Sequence, residues 1–388
     1  MGQAAVLERA EAGGGAHTRP LRLLALVPKP VGISPGQRFR LEQWAPHAAR
    51  EHGVELDFLP FESPELTRIL YEPGRQGRKG ALVLRDFARR LRAVLTSRAY
   101  DGAIVYREAA LIGPAIYERL LAWTGVPFFF DFDDAIWREG EMAGANGLWS
   151  RLHFWGKTST TCRLASGVLV GNSYLADYAR ARNPNTFILP TSIELADYPV
   201  QPELPADAPF TICWTGSTST LAHFEHARAP LERLAARLPI TVKVICNRPP
   251  DRPIAGAENL FVPWRQEGEA AEIGACHVGI MPLPDTEYTR GKCGLKGLQY
   301  MATGRPAVIA PVGMNTDLVQ DGANGFLPRT DGAWVDALER LAHSFELRAR
   351  VGSAGRRTVE ERYSATAVAA LFADAVRRVL ERTGVAGR

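Results

Sequence analysis

Short apolar runs alternate with stretches of helical period along most of this chain. Residues 21–27 form a nearly continuous apolar run, followed by the breaker-rich segment PKPVGISPGQ. A helical pattern over 39–52 stops at Gly53, and a strand is predicted at 54–60. A helix over 81–97, a strand at 102–106, a helix over 113–124 and a strand at 127–132 continue the alternation. A strand at 167–171, a helix over 173–182 and a short strand at 186–190 complete the first half. Strands that read as unbroken apolar runs and alternate with helices define an α/β fold with a parallel sheet covered on both faces.

Residues 194–209, ELADYPVQPELPADAP, carry four prolines and no clean period, which marks a linker. The alternation then restarts, with strands at 210–214, 240–246, 260–262, 277–282 and 307–310. Three helices, 334–345, 347–361 and 365–382, close the chain. The pattern predicts a tail over 1–19, a first α/β domain over 20–198, a second over 199–364, and a terminal helix over 365–388. Two such halves leave a cleft between them, with ligands expected at the carboxyl ends of strands.

Composition narrows the class. The chain has 388 residues and a formal net charge of +4, too weakly basic to argue for nucleic acid. Its five cysteines include no CxxC pair, which fits a reducing cytoplasm better than a disulfide framework. No apolar run reaches the length of a membrane span, and the first residues lack the apolar core of a signal peptide. The expected location is cytoplasmic, with peripheral contact at the inner membrane face through 75–98 as an option. That stretch carries eight basic residues against Asp86 alone, interleaved with Leu82, Val83, Phe87, Leu91, Val94 and Leu95. A basic amphipathic helix can lie on an anionic surface, although most such helices are simply solvated.

The richest chemistry lies in DTEYTRGKCGLKGLQYMATGRPAVIAPVG, after a strand and opening a helix. Helix entries suit phosphate, and Arg290 and Lys292 stand at this one. A helix beginning early enough would align Lys292, Lys296, Gln299 and Thr303 on one stripe; ordinary solvated lysines are the alternative. Gly216 and Ser217 open the hydroxyl-rich turn GSTST after the strand at 210–214, where the backbone could approach a phosphate or the hydroxyls could merely cap a helix. Gly313, Met314 and Asp317 lie in a third turn. DFDDAIW places Asp131, Asp133 and Asp134 at a strand end, suited to sugar hydroxyls, a base or Mg²⁺. Arg38 and Arg40 are expected to face the cleft on the acceptor side, with Asp134. No GxGxxG follows the first strand, and there is no GxxxxGK[ST] or HExxH.

The C-terminal half resembles the family 4 glycosyltransferases of the GT-B fold, the "glycosyl transferases group 1" domain. The stretches that carry the likeness are HVGIMPLPDTEYTRGKCGLKGLQYMATGRPAVIAPVG, MNTDLVQDGANGFL and YSATAVAALFADAVRRVL. RFRLEQWAP, VPFFFDFDDAIW and VLVGNSYLADYA resemble one subgroup in the N-terminal half. The resemblance implies two Rossmann-like domains facing a cleft and a last helix crossing back to the first domain. It also implies a nucleotide-sugar donor, a sugar, lipid-linked or small-molecule acceptor, retention of configuration and no obligatory metal cofactor, with Mg²⁺ not expected. By position, Lys292 and Lys296 would meet the donor diphosphate, with Gly216, Ser217, Arg290, Gly313, Met314 and Asp317 around the donor. Val262 and Trp264 would border the base, Gln299 the ribose, and Asp133 the sugar or acceptor hydroxyls. The family's paired glutamates are replaced by Gly291 and Gln299. Two rivals follow from that loss: a nucleotide-sugar 2-epimerase, and a catalytically silent GT-B protein that binds nucleotide or a partner.

Overall fold

A computed structural model describes residues 19–110, 113–137, 154, 156–202, 204–205 and 208–384. The predicted tail over 1–19 falls almost wholly outside these residues. Six parallel strands form the first sheet: β1 (Leu21–Val27), β2 (Val54–Pro60), β3 (Gly102–Tyr106), β4 (Phe128–Phe132), β5 (Gly167–Val170) and β6 (Thr186–Ile188), in the order β2-β1-β3-β4-β5-β6. Five more form the second: β7 (Phe210–Thr215), β8 (Ile240–Cys246), β9 (Glu258–Pro263), β10 (Val278–Met281) and β11 (Ala307–Ile309), in the order β11-β10-β7-β8-β9. β3, β4, β5, β8 and β10 are buried along their whole length, as expected of strands covered on both faces.

The helices used below are α1 (Ala45–His52), α2 (Gln76–Leu95), α3 (Ile116–Trp123), α4 (Ser173–Arg180), α5 (Leu295–Ala302), α6 (Asp331–His343), α7 (Phe345–Arg362) and α8 (Ala365–Arg382). Their ends follow local chemistry. Gly53, at φ 62°, ends α1, with its N–H donating to the Ala48 and Ala49 carbonyls. Asn172 caps α4 by accepting from the Leu175 amide, and Ser364 caps α8 by accepting from the Ala367 amide. α8 starts beside the C-terminal domain but buries Val368, Phe372, Val376 and Val379 against Leu23, Ala25, Ile104 and Phe129 of the first sheet. The last helix therefore crosses back to the N-terminal domain. Together these features are the GT-B arrangement of two Rossmann-like domains.

Several boundaries differ from the sequence expectation. The helix expected over 39–52 is broken into a short α turn, a π turn at Arg38–Glu42 and α1, whose second residue is Pro46. α2 starts five residues before the predicted position, at Gln76. α5 begins only at Leu295, because Gly294 adopts φ 68° and interrupts the chain before it. Lys292 is therefore not on that helix, and the single helical stripe from Lys292 to Thr303 does not form.

Each sheet has one place where the chain order reverses: between β1 and β3 in the first, and between β7 and β10 in the second. Ligands of open parallel sheets bind outside the strand carboxyl ends at such points. The loops that leave β1, β3 and β4 face those that leave β7 and β10, and the cleft between them holds the main cavity.

Candidate active site

The cavity has a volume of about 650 Å³, and both domains line it. That falls in the usual range of small-molecule sites, roughly 300–1,000 Å³. The N-terminal domain contributes Ser34, Gly36, Arg38, Arg107, Asp133 and Asp134; the C-terminal domain contributes Gly216, Ser217, Trp264, Glu269, Lys292, Lys296 and Gln299, among others.

The two domains meet through a charged clasp. Lys292 Nζ donates to Asp134 Oδ1 at 3.1 Å and to the Tyr288 hydroxyl at 2.9 Å. Arg107 donates from Nε to Asp133 Oδ1 at 2.8 Å and from Nη2 to Asp134 Oδ2 at 2.6 Å. Burial opposes the charge on Lys292, but Asp134 and Tyr288 outweigh it and raise the pKa. Burial likewise lifts Asp134, and Arg107 and Lys292 more than reverse that, so the carboxylate stays ionised. Arg107 holds φ 59°, an unusual backbone state for a residue with a side chain. Strain of that kind collects at functional sites and is of order 1–3 kcal/mol.

Lys296 has a different environment. Among the described residues no carboxylate is paired with it; its ammonium lies 5.6 Å from the centre of the Trp214 ring. Burial, then the neighbouring charge of Lys292, push its pKa down to about 8. Arg38 enters from the opposite domain, stacked 4.6 Å over Phe39, with Nε buried and without a hydrogen-bond partner. The cavity thus presents two cations, one from each domain, that form no ion pair with a carboxylate among the described residues; Glu269 acts on Lys296 only from a distance.

The wall beside Lys296 is a hydrogen-bonded chain. Glu269 accepts from Trp264 Nε1 at 2.9 Å, from Thr215 Oγ1 at 3.2 Å and from the Tyr198 hydroxyl at 3.0 Å. Gln299 Nε2 donates to that same hydroxyl at 2.8 Å. At the end of β7, a Cβ on Gly216 would lie 2.5 Å from the Trp214 ring and 2.8 Å from Thr220 Oγ1. Only glycine fits this turn without moving them.

Of the residues expected from sequence, Arg38, Asp133, Asp134, Gly216, Ser217, Trp264, Lys292, Lys296 and Gln299 line the cavity. Seven others do not. Arg40 is fully buried and forms a two-pronged ion pair with Asp131, at 2.9 and 2.8 Å. Residues two apart on a helical turn project to opposite sides, so Arg38 and Arg40 cannot both face the cleft. The same pair removes Asp131 from a metal-binding trio with Asp133 and Asp134. Arg290 is engaged by Asp285 at the surface. Asp317 accepts from Ser173 across the domain boundary at 3.3 Å. Met314 is buried beside Gly294, Val262 packs against the core, and Gly313 at φ 56° sits against the Arg290 carbonyl. Gly291 is a packing position: a Cβ there would lie 2.8 Å from the Ala135 amide nitrogen. The loop carrying Asp133 and Asp134 is pressed onto Gly291.

Sequence reasoning missed Arg107, Glu269 and Tyr288. Arg107 follows β3 directly, at the strand end where ligand residues gather, so its position was a usable signal. Nothing local distinguishes Glu269 from other surface-helix glutamates.

The fold and this cleft define a GT-B protein with a cavity suited to an anionic ligand. Residues 224–344 match a family model described as "Glycosyl transferases group 1". No curated protein matches the chain. Among solved structures it is similar to sucrose-phosphate synthase from Thermosynechococcus elongatus, with 16% identity, TM-score 0.64, and coverage of 94% of this chain and 100% of that one. A glycosyltransferase from Rickettsia africae gives 12% identity, TM-score 0.63, and coverage of 94% and 100%. Anabaena HepE in complex with UDP and glucose gives 13%, 0.59, and coverage of 92% and 100%. At these identities the likeness shows the fold.

Proposed function

We propose that this chain is a glycosyltransferase that moves a sugar from a nucleoside-diphosphate donor to an acceptor held on the N-terminal side of the cleft. The observation that carries the reading is the pair of cations that form no ion pair among the described residues, Lys296 and Arg38, in a two-domain cavity beside the Gly216 turn. A departing diphosphate concentrates negative charge as the glycosidic bond breaks, and preorganised cations stabilise that charge in a site shielded from water. Lys296 and Lys292 meet the diphosphate from the C-terminal domain, and Arg38 closes over it. Lys292 shares its charge with Asp134, so Lys296 carries the larger part.

Trp264 offers a flat wall for the base. Glu269 and Gln299, tied through Tyr198, offer acceptors and an amide to the ribose. Gly291 leaves no side chain at the sugar, and Asp133 and Asp134 bring carboxylates to the same place from the facing domain. Asp133 is held by Arg107 and the Tyr106 hydroxyl, an orientation suited to gripping a sugar or acceptor hydroxyl. Membership of family 4, transfer with retention and independence from metal rest on the sequence resemblance of the C-terminal half. HepE, whose structure contains UDP and glucose, supports UDP as the first nucleotide to try.

A thermal-shift panel of UDP, GDP, ADP and their sugars tests the reading. A diphosphate should raise the melting temperature more than its monophosphate, through mass action on the folded state. Equal shifts for mono- and diphosphates would remove the role given to Lys296 and Arg38. Formation of an epimer from a donor without acceptor would instead favour the epimerase.

A further inference from the structure

The N-terminal sheet carries an outer layer whose exposed side includes an apolar stripe. On α2, Ala81, Leu84, Ala88, Leu91 and Leu95 are all exposed, and their spacing puts them on one stripe. Leu84 is 71% exposed. Arg78, Arg85 and Arg92, seven residues apart and all exposed, run along one flank of that stripe; the single Glu65 pairs with both Arg78 and Arg85, and no ion pair holds Arg92 among the described residues, so the flank keeps a positive excess. The inward side of the same helix is occupied by Leu82, Asp86, Arg90 and Val94. The helix thus packs inward through Leu82 and Val94 beside the buried Asp86 and Arg90, and a second, apolar stripe faces outward.

α3 extends this surface. It lies beside α2, with the Tyr117 hydroxyl donating to the Phe87 carbonyl at 2.9 Å and Arg98 Nε donating to the Thr124 carbonyl at 2.9 Å. Ile116, Arg119 and Trp123 are exposed on one side of α3, Trp123 at 73%. Tyr71, just before α2, is also exposed and holds Lys29 by a hydrogen bond of 3.1 Å. Lys29 belongs to the loop that continues through the exposed Val31 and Ile33 to the cavity-lining Ser34. Of the twelve large hydrophobic side chains exposed among the described residues, eight lie on this connected surface. An ordinary solvated helix face does not gather them.

We propose that the outer face of α2 and α3 docks on an anionic lipid bilayer. Leucines and a tryptophan flanked by arginines match the two layers of such a surface: apolar groups enter the acyl boundary while guanidinium groups remain among the headgroups. Basic side chains near an anionic leaflet add electrostatic attraction that salt screens. A protein partner would also bury Trp123 and Ile116, but a leucine stripe along a whole helix with arginines on its flank is the pattern of an interfacial helix, which favours the bilayer. The docking stands on this surface alone. Its consequence for the cleft, that the acceptor is presented from the bilayer beside Val31 and Ile33, rests on the proposed transferase function.

Co-sedimentation of the full chain with vesicles tests the docking. Vesicles of phosphatidylcholine mixed with phosphatidylglycerol should bind it, and phosphatidylcholine alone at least tenfold less. The double substitution Leu84→Glu with Trp123→Ser should lower binding to the mixed vesicles at least tenfold. Arg92→Glu should weaken binding chiefly at low salt. All these positions are exposed, so circular dichroism and nucleotide binding should match wild type, which separates this outcome from failure of the donor site. Absence of vesicle binding by wild type, or binding unchanged by the double substitution, overturns the proposal. A dimer that the same substitutions dissolve assigns the face to a second copy and overturns it too.

Discussion

Replacing Lys296 with methionine removes an ammonium that is desolvated and has no ion-pair partner among the described residues, and should stabilise the protein while weakening its donor affinity. Burial and Lys292 lower the Lys296 pKa from 10.5 to about 8. At about 1.4 kcal/mol per pKa unit, that shift corresponds to roughly 3 kcal/mol against the charged folded state. The side chain keeps partial solvent contact at the cavity wall, and its cation–π contact with Trp214 is already in place. A net gain of about 1–2 kcal/mol is therefore expected for the methionine variant at neutral pH. The sign follows from linkage. The folded-state pKa is below the unfolded one, so the unfolded chain binds more protons between about pH 8 and 10.5, and wild-type stability rises with pH across that window. The variant lacks this rise. Urea unfolding should show the largest gap below pH 8 and its closure as pH approaches 10.5. A variant less stable than wild type at neutral pH, or a gap independent of pH, would refute the reasoning. Retention of such a charge at a stability cost is what a binding site for an anion requires.

The same ammonium sets the pH dependence of binding. Diphosphate affinity should be full below about pH 8 and decline as pH rises through that value, because Lys296 loses its proton; calorimetric titrations giving a flat profile across this range would count against Lys296. Arg40→Met leaves Asp131 buried beside apolar neighbours without its partner, and loss of one member of a buried pair costs about 3–5 kcal/mol. That loss should appear in urea unfolding; a variant as stable as wild type would show the pair contributes little. Gly216→Ala forces Trp214 or Thr220 to shift, with overpacking of about 1–3 kcal/mol. Nucleotide affinity should drop at least tenfold, and unchanged affinity would detach the Gly216 turn from the donor.

Much of the architecture was legible because parallel strands buried on both faces must be apolar runs, as in LRLLALV and FFFDF. The proline-rich stretch before Phe210 likewise marked the break between the two sheets. What sequence hid was set by geometry over long separations. Gly294 looks like any helix-tolerated glycine, yet its positive φ detaches Lys292 from α5. Lys292 still reaches the cavity, because Asp134 holds it from a distant segment. Arg38 and Arg40 are the same residue type two positions apart, and only the turn they share sends one to the cavity and the other to Asp131. Gly291 reads as a lost glutamate; its reason is the approach of Ala135, which no local pattern encodes.

The central claim is that the interdomain cavity binds a nucleoside diphosphate through Lys296 and Arg38. Isothermal titration of UDP, GDP and ADP, each beside its monophosphate, into wild type, Lys296→Met and Arg38→Ala tests it most directly. Wild type should bind one diphosphate at least tenfold more tightly than the monophosphate, and each substitution should weaken that diphosphate by ten- to a hundredfold, as expected for loss of a charged hydrogen bond of about 1.5–3 kcal/mol. Wild type that binds none of the three diphosphates, or a diphosphate affinity unchanged in both variants, would contradict the account.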